Sequence, residues 1–126
     1  RVSRRRRRFA VVYTDQRGRM TGKPISVNRA LQKAAFRIGR VYKCGGTRTQ
    51  PQYTFNRWDE ERSAWRVPAS SYPFAQARSY RRDALLSEAA QIMGMDQEHA
   101  DDAVLTRHRY GSDAEWLKAT VAEYAQ

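Results

Sequence analysis

The segment from Pro24 to Arg40 constrains the fold more than any other part of this sequence. Ser26 precedes its helical pattern and can accept a hydrogen bond from an unpaired backbone N–H, while Gly39 suits a helix end. We therefore predict a helix over residues 26–38 that buries one face. The apolar side chains recur at steps of three and four residues, the period of an amphipathic helix: Val27, Ala30, Leu31, Ala34, Ala35 and Ile38.

The same segment carries a line of cationic side chains. Arg29, Lys33 and Arg37 follow one another at steps of four, and Arg40 falls close to the same line. Basic residues on a helix often do no more than solvate its outer face. A cationic stripe can also dock on phosphates, and the amides of Asn28 and Gln32 can pair with adenine edges. The charge of the whole chain favours the docking interpretation.

That charge is unevenly distributed along the 126 residues, whose formal net charge is +11. Residues 1–82 hold 21 of the 24 Lys and Arg residues and 4 of the 13 acidic residues, so they are formally +17, whereas residues 83–126 are −6. Twenty of the 24 cations are Arg, whose guanidinium binds phosphate and guanine edges in a bidentate manner. We expect the first two-thirds to meet nucleic acid. The acidic last third is predicted to hold a second copy, as a homodimer, or another protein.

A run of arginines stands at the start of the sequence. Five adjacent guanidiniums repel one another and cannot pack together, so residues 1–8 are predicted to be a flexible arm that lies along phosphates. A linker or a localisation signal has the same composition. The arm residues of the predicted nucleic-acid footprint are Arg4, Arg5, Arg6, Arg7 and Arg8. Its further residues are Arg17, Arg19, Lys23, Arg57 and Arg66.

Short β-rich runs precede and follow the predicted helix, and helical patterns fill the last third. Residues 9–14 and 40–44 suit strands, and residues 52–58 and 63–67 flank a polar loop as in a hairpin. Helices are predicted over residues 74–93, 96–109 and 112–125. The predicted class is α+β: a small, mostly antiparallel sheet of about three to five strands with one packed helix, then a helical C-terminal third.

This pattern divides the chain into three parts that belong to one domain. They are a flexible basic arm (1–8), a basic nucleic-acid-binding core (9–68) and a helical region packed on the same domain (69–126). The order of these elements recurs in many folds and identifies no family.

Few residues indicate catalysis, a metal or a cofactor. Cys44 is the only cysteine, so the sequence offers neither an intramolecular disulfide nor a thiolate cluster. The two histidines, His99 and His108, lack the spacing of a zinc pair on a helix. We therefore expect a non-enzymatic protein with no cofactor and no metal. No apolar run approaches the length of a membrane span, and we expect no membrane partner and a cytoplasmic location.

These observations together predict DNA binding in a regulatory or accessory role. RNA or ribosome binding is the first alternative, and it would stack bases on aromatic side chains. The residues for that alternative are Tyr53, Phe55, Trp58 and Trp65. The second is a metal-independent ribonuclease formed by His108 with Arg107, Arg109 and Tyr110, with the histidine as base and an arginine on the scissile phosphate. The third is a protein-binding adaptor whose basic surface meets an acidic partner.

Overall fold

A computed structural model describes residues 25–126, which form four α-helices, one 3₁₀ helix and four short strands. The α+β class is confirmed for these residues. The arm at 1–8, the strand at 9–14 and the predicted site residues Arg17, Arg19 and Lys23 lie outside the described residues. Between Ile25 and Gln126, no helix is both long enough and apolar enough to span a bilayer.

The first helix, α1 (Val27–Arg37), forms where the periodicity places it. The Ser26 side chain caps its start by accepting a hydrogen bond from the Arg29 backbone N–H at 3.2 Å. At the other end, the Ile38 backbone turns to an extended conformation (φ −107°, ψ 106°) while its N–H still donates to the Ala34 carbonyl. Both ends therefore agree with the predicted boundaries.

The buried face of α1 is narrower than its apolar pattern suggests. Ala30, Ala34 and Ile38 are buried, whereas Ala35 is exposed. The two buried alanines pack in the main core with Leu86 of the second helix, α2 (Phe74–Ile92). Because alanine side chains are short, they let the backbones of two helices approach closely. Val27 and Leu31 are partly buried at the edge of this core, and the opposite side of α1 faces solvent.

Two separate antiparallel sheets of two strands each stand in place of the single sheet that the sequence suggested. Strand β1 (Tyr42–Gly46) pairs with β2 (Pro51–Thr54), and β3 (Arg57–Asp59) pairs with β4 (Ala64–Arg66). The predicted hairpin is confirmed in the second pair, where Trp58 lies opposite Trp65. The strand expected over residues 52–58 is interrupted at Phe55 and Asn56, because the segment before the break pairs with β1 and Tyr72 whereas the segment after it pairs with β4 and Ile38.

The C-terminal third is helical, as predicted, although its middle helix is shorter. Helix α3 (Gln97–Val104) gives way to a 3₁₀ helix (Arg107–Arg109) and then to α4 (Asp113–Tyr124). The Ser112 hydroxyl accepts from the Glu115 backbone N–H at 3.1 Å, which confirms the predicted cap of α4.

The main core lies among all four α-helices. Trp116, Leu86, Met93, Leu117 and Val121 are its largest fully enclosed side chains. A second, smaller cluster of Ile38, Phe55 and Ala84 joins the end of α1 to the two-residue break between β2 and β3 and to α2. This second cluster places the β3–β4 hairpin beside the last turn of α1.

Candidate nucleic-acid interface

Arg29 and Lys33 form an exposed cationic pair on α1. Residues four apart lie one above the other on a helix, so both side chains belong to the same outer face. Asn28 and Gln32 are exposed too, and Gln32 Oε1 accepts a hydrogen bond from Arg29 Nη1 at 3.1 Å. Within residues 25–126, no carboxylate pairs with Arg29 or Lys33. Arg29, Lys33 and Arg40 of the predicted stripe are therefore exposed, whereas Arg37 is only partly exposed.

Arg37, the next residue along the stripe, is held by carboxylates instead. Its Nη1 lies 3.3 Å from Glu88 Oε2 on α2, and its Nη2 lies 3.8 Å from Glu60 Oε2 in the β3–β4 turn. The Arg37 side chain is also only about 31% exposed. Since these two anions offset much of its field, Arg37 offers less attraction to an incoming phosphate than Lys33 does.

The remaining predicted site residues lie on other surfaces. Arg40 is exposed after the end of α1. Arg57 and Arg66 are opposite each other on β3 and β4, and both line a cavity of about 680 Å³ between this hairpin and the helices α2 and α3. The neighbouring Trp58 and Trp65 point to the other face, because successive side chains of a strand alternate. Arg57 and Arg66 therefore lie on the face of the hairpin opposite to the one that borders Lys33 and Arg37.

Several other arginines serve to connect elements of the fold. Arg81 of α2 donates from Nε to the Gly39 carbonyl at 2.9 Å and from Nη2 to the Ile38 carbonyl at 3.1 Å. Arg82 and Arg107 both bind Asp113 Oδ1, at 2.9 and 2.6 Å. Because its guanidinium is turned towards α4 in this way, Arg107 is engaged in the fold. Of the two arginines that the ribonuclease alternative offers to a phosphate, Arg109 is the exposed one.

A cleft beside the stripe was not predicted from the sequence. It lies between α1 and the β3–β4 hairpin and has a volume of about 420 Å³. We call it the aromatic cleft, and define it by its lining residues Lys33, Phe36, Arg37, Trp58, Glu60 and Trp65. Phe36 is 74% exposed and Trp65 is 48% exposed. In the sequence, the only sign of the aromatic cleft on α1 is Phe36, an aromatic residue three positions after Lys33 that lies off the buried face of the helix.

The tryptophans of the aromatic cleft are held by specific contacts. Their rings meet edge to face, with centroids 5.4 Å apart and planes at 70°. The Trp58 indole N–H donates to Glu60 Oε2 at 2.9 Å. On its other side, Trp65 approaches Gly39, where an added Cβ would lie 3.7 Å from the Trp65 ring. Trp65 thus packs against Trp58 and lies beside Gly39 while nearly half of its surface remains in solvent.

The other aromatic residues proposed for base stacking are engaged inside the fold. Phe55 is buried, 7% exposed, in the smaller core cluster, so it cannot stack on a base without a change in packing. Tyr53 packs edge to face against Phe74, with ring centroids 5.1 Å apart. Of the four aromatic residues named for RNA recognition, Trp65 presents the largest exposed ring.

Among residues 25–126, three carboxyl and imidazole groups have displaced pKa values, and they lie on the helical part of the fold. Burial raises the pKa of Asp83, and the nearby Arg82 guanidinium partly opposes this. The backbone N–H and side chain of His99 lower the pKa of Asp96 by hydrogen bonding. The Asp96 carboxylate in turn raises the pKa of His99 through its hydrogen bond and its charge. Across residues 25–126, no cluster of three or more His, Cys, Asp or Glu side chains is arranged to hold a metal ion.

No protein-family model, curated protein or solved structure matches this chain. The functional assignment therefore depends on the geometry of the described residues.

Proposed function

We propose that this protein binds nucleic acid through an arginine-rich surface without catalysing a reaction on it, with DNA preferred over RNA, in a regulatory or accessory role in the cytoplasm. One observation carries the proposal: Arg29 and Lys33 are exposed one turn apart on α1 and have no carboxylate partner among residues 25–126. Cations placed in this way can bind successive phosphates, while Asn28 and Gln32 on the same helix supply amides for base edges.

RNA is the second candidate, and Trp65 is the reason for it. Sequence-specific RNA recognition mostly uses unpaired bases stacked on aromatic side chains. An exposed tryptophan next to Lys33 has the required character. Competition between DNA and RNA of equal length, at one stated salt concentration, separates the two candidates.

A further part of the proposal concerns the acidic C-terminal helices. Residues 83–126 have a formal charge of −6 and are expected to repel a polyanion, so we propose that this surface meets a second copy or another protein. Sedimentation of the purified protein with and without DNA tests the homodimer.

The proposed DNA contact is tested by the double variant Arg29→Glu with Lys33→Glu, which is designed to keep the helix. The carboxylate introduced at position 29 would stand three residues after the Ser26 cap, where an acidic side chain favours the helix start. The carboxylate introduced at position 33 would stand four residues before Arg37, a favourable order for a helical ion pair. Circular dichroism and the thermal midpoint should therefore remain close to those of the parent.

DNA affinity should fall because two phosphate contacts are lost. If the parent engages about six phosphates, log K should fall with log salt at a slope of about −5, and the variant should lose about 2 units of that slope. The matched control reverses two exposed arginines away from α1: Arg48 in the β1–β2 turn and Arg109 in the 3₁₀ helix. Its slope should stay near that of the parent.

Two results would count against the proposal in different ways. A folded Arg29→Glu/Lys33→Glu variant with the parent's affinity and salt slope would remove α1 from the interface. A parent protein that retains neither DNA nor RNA at low salt would remove the nucleic-acid function altogether.

A further inference from the structure

We infer that the aromatic cleft binds an unpaired base of single-stranded nucleic acid, with Phe36 and Trp65 as the stacking surfaces. This inference rests on the proposed nucleic-acid binding and specifies the form of nucleic acid that the surface takes. In this arrangement Lys33 contacts the phosphate next to the stacked base.

The first reason is the position of two exposed aromatic rings in one cleft. A single exposed apolar side chain is common on protein surfaces and indicates nothing by itself. Here Phe36 and Trp65, which come from α1 and from β4, line the same cleft together with Lys33 and Arg37. The cleft is shallow and open to solvent, so a planar base can reach its exposed rings directly. Rings and cations along one groove are the features by which proteins hold unpaired bases.

The second reason is that Trp65 is already held in place. Its edge-to-face contact with Trp58 and the Gly39 backbone beside it restrict the ring before any ligand arrives. A side chain that is ordered in the free protein loses little rotamer freedom on binding, so more of the stacking energy appears as affinity. The exposed part of the indole is then available to a base.

The third reason is the charge beside these rings. Lys33 lies one turn before Phe36 on α1 and has no carboxylate partner among residues 25–126. Arg37 also lines the cleft but is 3.8 Å from Glu60 and 3.3 Å from Glu88. The exposed Glu60 carboxylate therefore repels a phosphate that approaches Arg37. Loss of this carboxylate should strengthen binding of a polyanion and weaken binding of a cationic partner.

The cleft favours single strands over duplexes for an energetic reason. In a duplex the bases are paired and stacked on each other, and extruding one costs a few kcal/mol. A single strand presents the faces of its bases without that cost. The cleft should therefore add affinity for single-stranded DNA and RNA, whereas Arg29 and Lys33 serve duplex and single strand alike.

The experiment measures fluorescence anisotropy of the full chain with four labelled probes of equal length at one salt concentration. The probes are an oligo-dT, the same oligomer with abasic sites, an oligo-U and a DNA duplex. Phe36→Ala and Trp65→Ala should each bind oligo-dT or oligo-U at least about fivefold more weakly, within the roughly 5- to 150-fold that loss of one base stack produces. Their binding to the duplex and to the abasic oligomer should change little.

Three further variants complete the design. Leu105→Ala removes a side chain with similar exposure to Phe36, 71% against 74%, from outside the cleft, and should bind as the parent does. Trp65→Phe keeps an aromatic face, so it should bind oligo-dT more tightly than Trp65→Ala and more weakly than the parent. It also tests position 65 if Trp65→Ala does not fold. Glu60→Gln keeps an oxygen acceptor for the Trp58 indole and should bind every anionic probe more tightly than the parent.

The outcomes distinguish this inference from the proposed function. If folded Phe36→Ala, and Trp65→Ala where that variant folds, bind oligo-dT as the parent does, or if the abasic oligomer binds as well as oligo-dT, the base site is wrong while nucleic-acid binding stands. If the parent binds none of the four probes at low salt, both proposals fail. Binding of poly-Glu instead, lost in Trp65→Ala, would assign the cleft to an acidic protein partner and overturn the inference.

Discussion

Arg81 connects α2 to the end of α1, and its replacement by Met should destabilise the fold by about 2 kcal/mol. Its guanidinium donates to the carbonyls of Ile38 and Gly39, which no longer have helical partners of their own. A hydrogen bond to a charged group contributes about 1.5–3 kcal/mol, and a cation at a helix C-terminus adds about 0.3–1 kcal/mol. These contributions are not additive, and in the variant water can reach the half-buried carbonyls, so a value near the lower end is expected.

The measurement is urea unfolding followed by tryptophan fluorescence. The midpoint should fall without a change in slope, and the thermal midpoint should fall by about 8 °C for a chain of this size. Arg81→Lys keeps the charge but cannot donate to both carbonyls with the fixed geometry of a guanidinium, so it should lose about half as much stability as Arg81→Met. Arg78→Met, at an exposed position on the same helix, is the control and should change stability by less than about 0.5 kcal/mol.

A different result would refute this assignment of Arg81. If Arg81→Met unfolds at the same urea concentration as Arg78→Met but binds DNA much more weakly than the parent, the guanidinium belongs to the binding surface and its contacts to the carbonyls are incidental.

Three further predictions concern the rest of the fold. The imidazole of His99 should titrate above its usual pKa of 6.5 by NMR, and this pKa should fall in the Asp96→Asn variant. The stabilisation that the charged pair gives to the fold is then complete below pH 6.5 and disappears as the pH rises through the pKa of His99 in the folded protein. Trp116→Phe should cost about 3 kcal/mol in denaturant unfolding, because it leaves a gap at a fully buried position and removes the indole donor to a carbonyl of α3. Gly46→Ala should cost about 1–2 kcal/mol and speed amide exchange in β1, because Gly46 has φ +82° and an added Cβ would overlap the Gln50 carbonyl oxygen.

Local patterns were sufficient to predict α1 and α4. The start of each is set by a serine whose hydroxyl accepts from an N–H three residues later, and both signals are visible within one turn of sequence. The break between β2 and β3 was not predictable in this way. Tyr53 pairs with Tyr72 through two backbone hydrogen bonds of 2.7 and 2.8 Å, and Ile38 forms a bridge with Arg57. Both contacts join residues far apart in the sequence, so the local alternation carries no sign of them.

The same distinction applies to the candidate interface. The four-residue spacing correctly places Arg29 and Lys33 on an exposed face of α1. The same spacing also places Arg37 on that face. It gives no sign that Arg37 is paired, because its partner Glu88 is 51 residues away in the sequence. Phe36 was missed for a related reason. Phe36 falls off the predicted buried face, but the local spacing gives no sign of what lies opposite it, and only the position of the β3–β4 hairpin shows that Phe36 borders a cleft.

Richness in arginine is therefore a weaker sign of nucleic-acid binding than the position of each cation. Arginine donates in several directions at once, which suits it equally to phosphates and to the internal tasks of Arg81 and Arg107. A chain can use many arginines to connect its own helices and present few of them to a ligand. A stronger criterion is a cation without a carboxylate partner beside an exposed ring. On α1 and the hairpin beside it, Lys33 meets this criterion next to Phe36, whereas Arg37 lines the same cleft with two carboxylates at 3.3 and 3.8 Å.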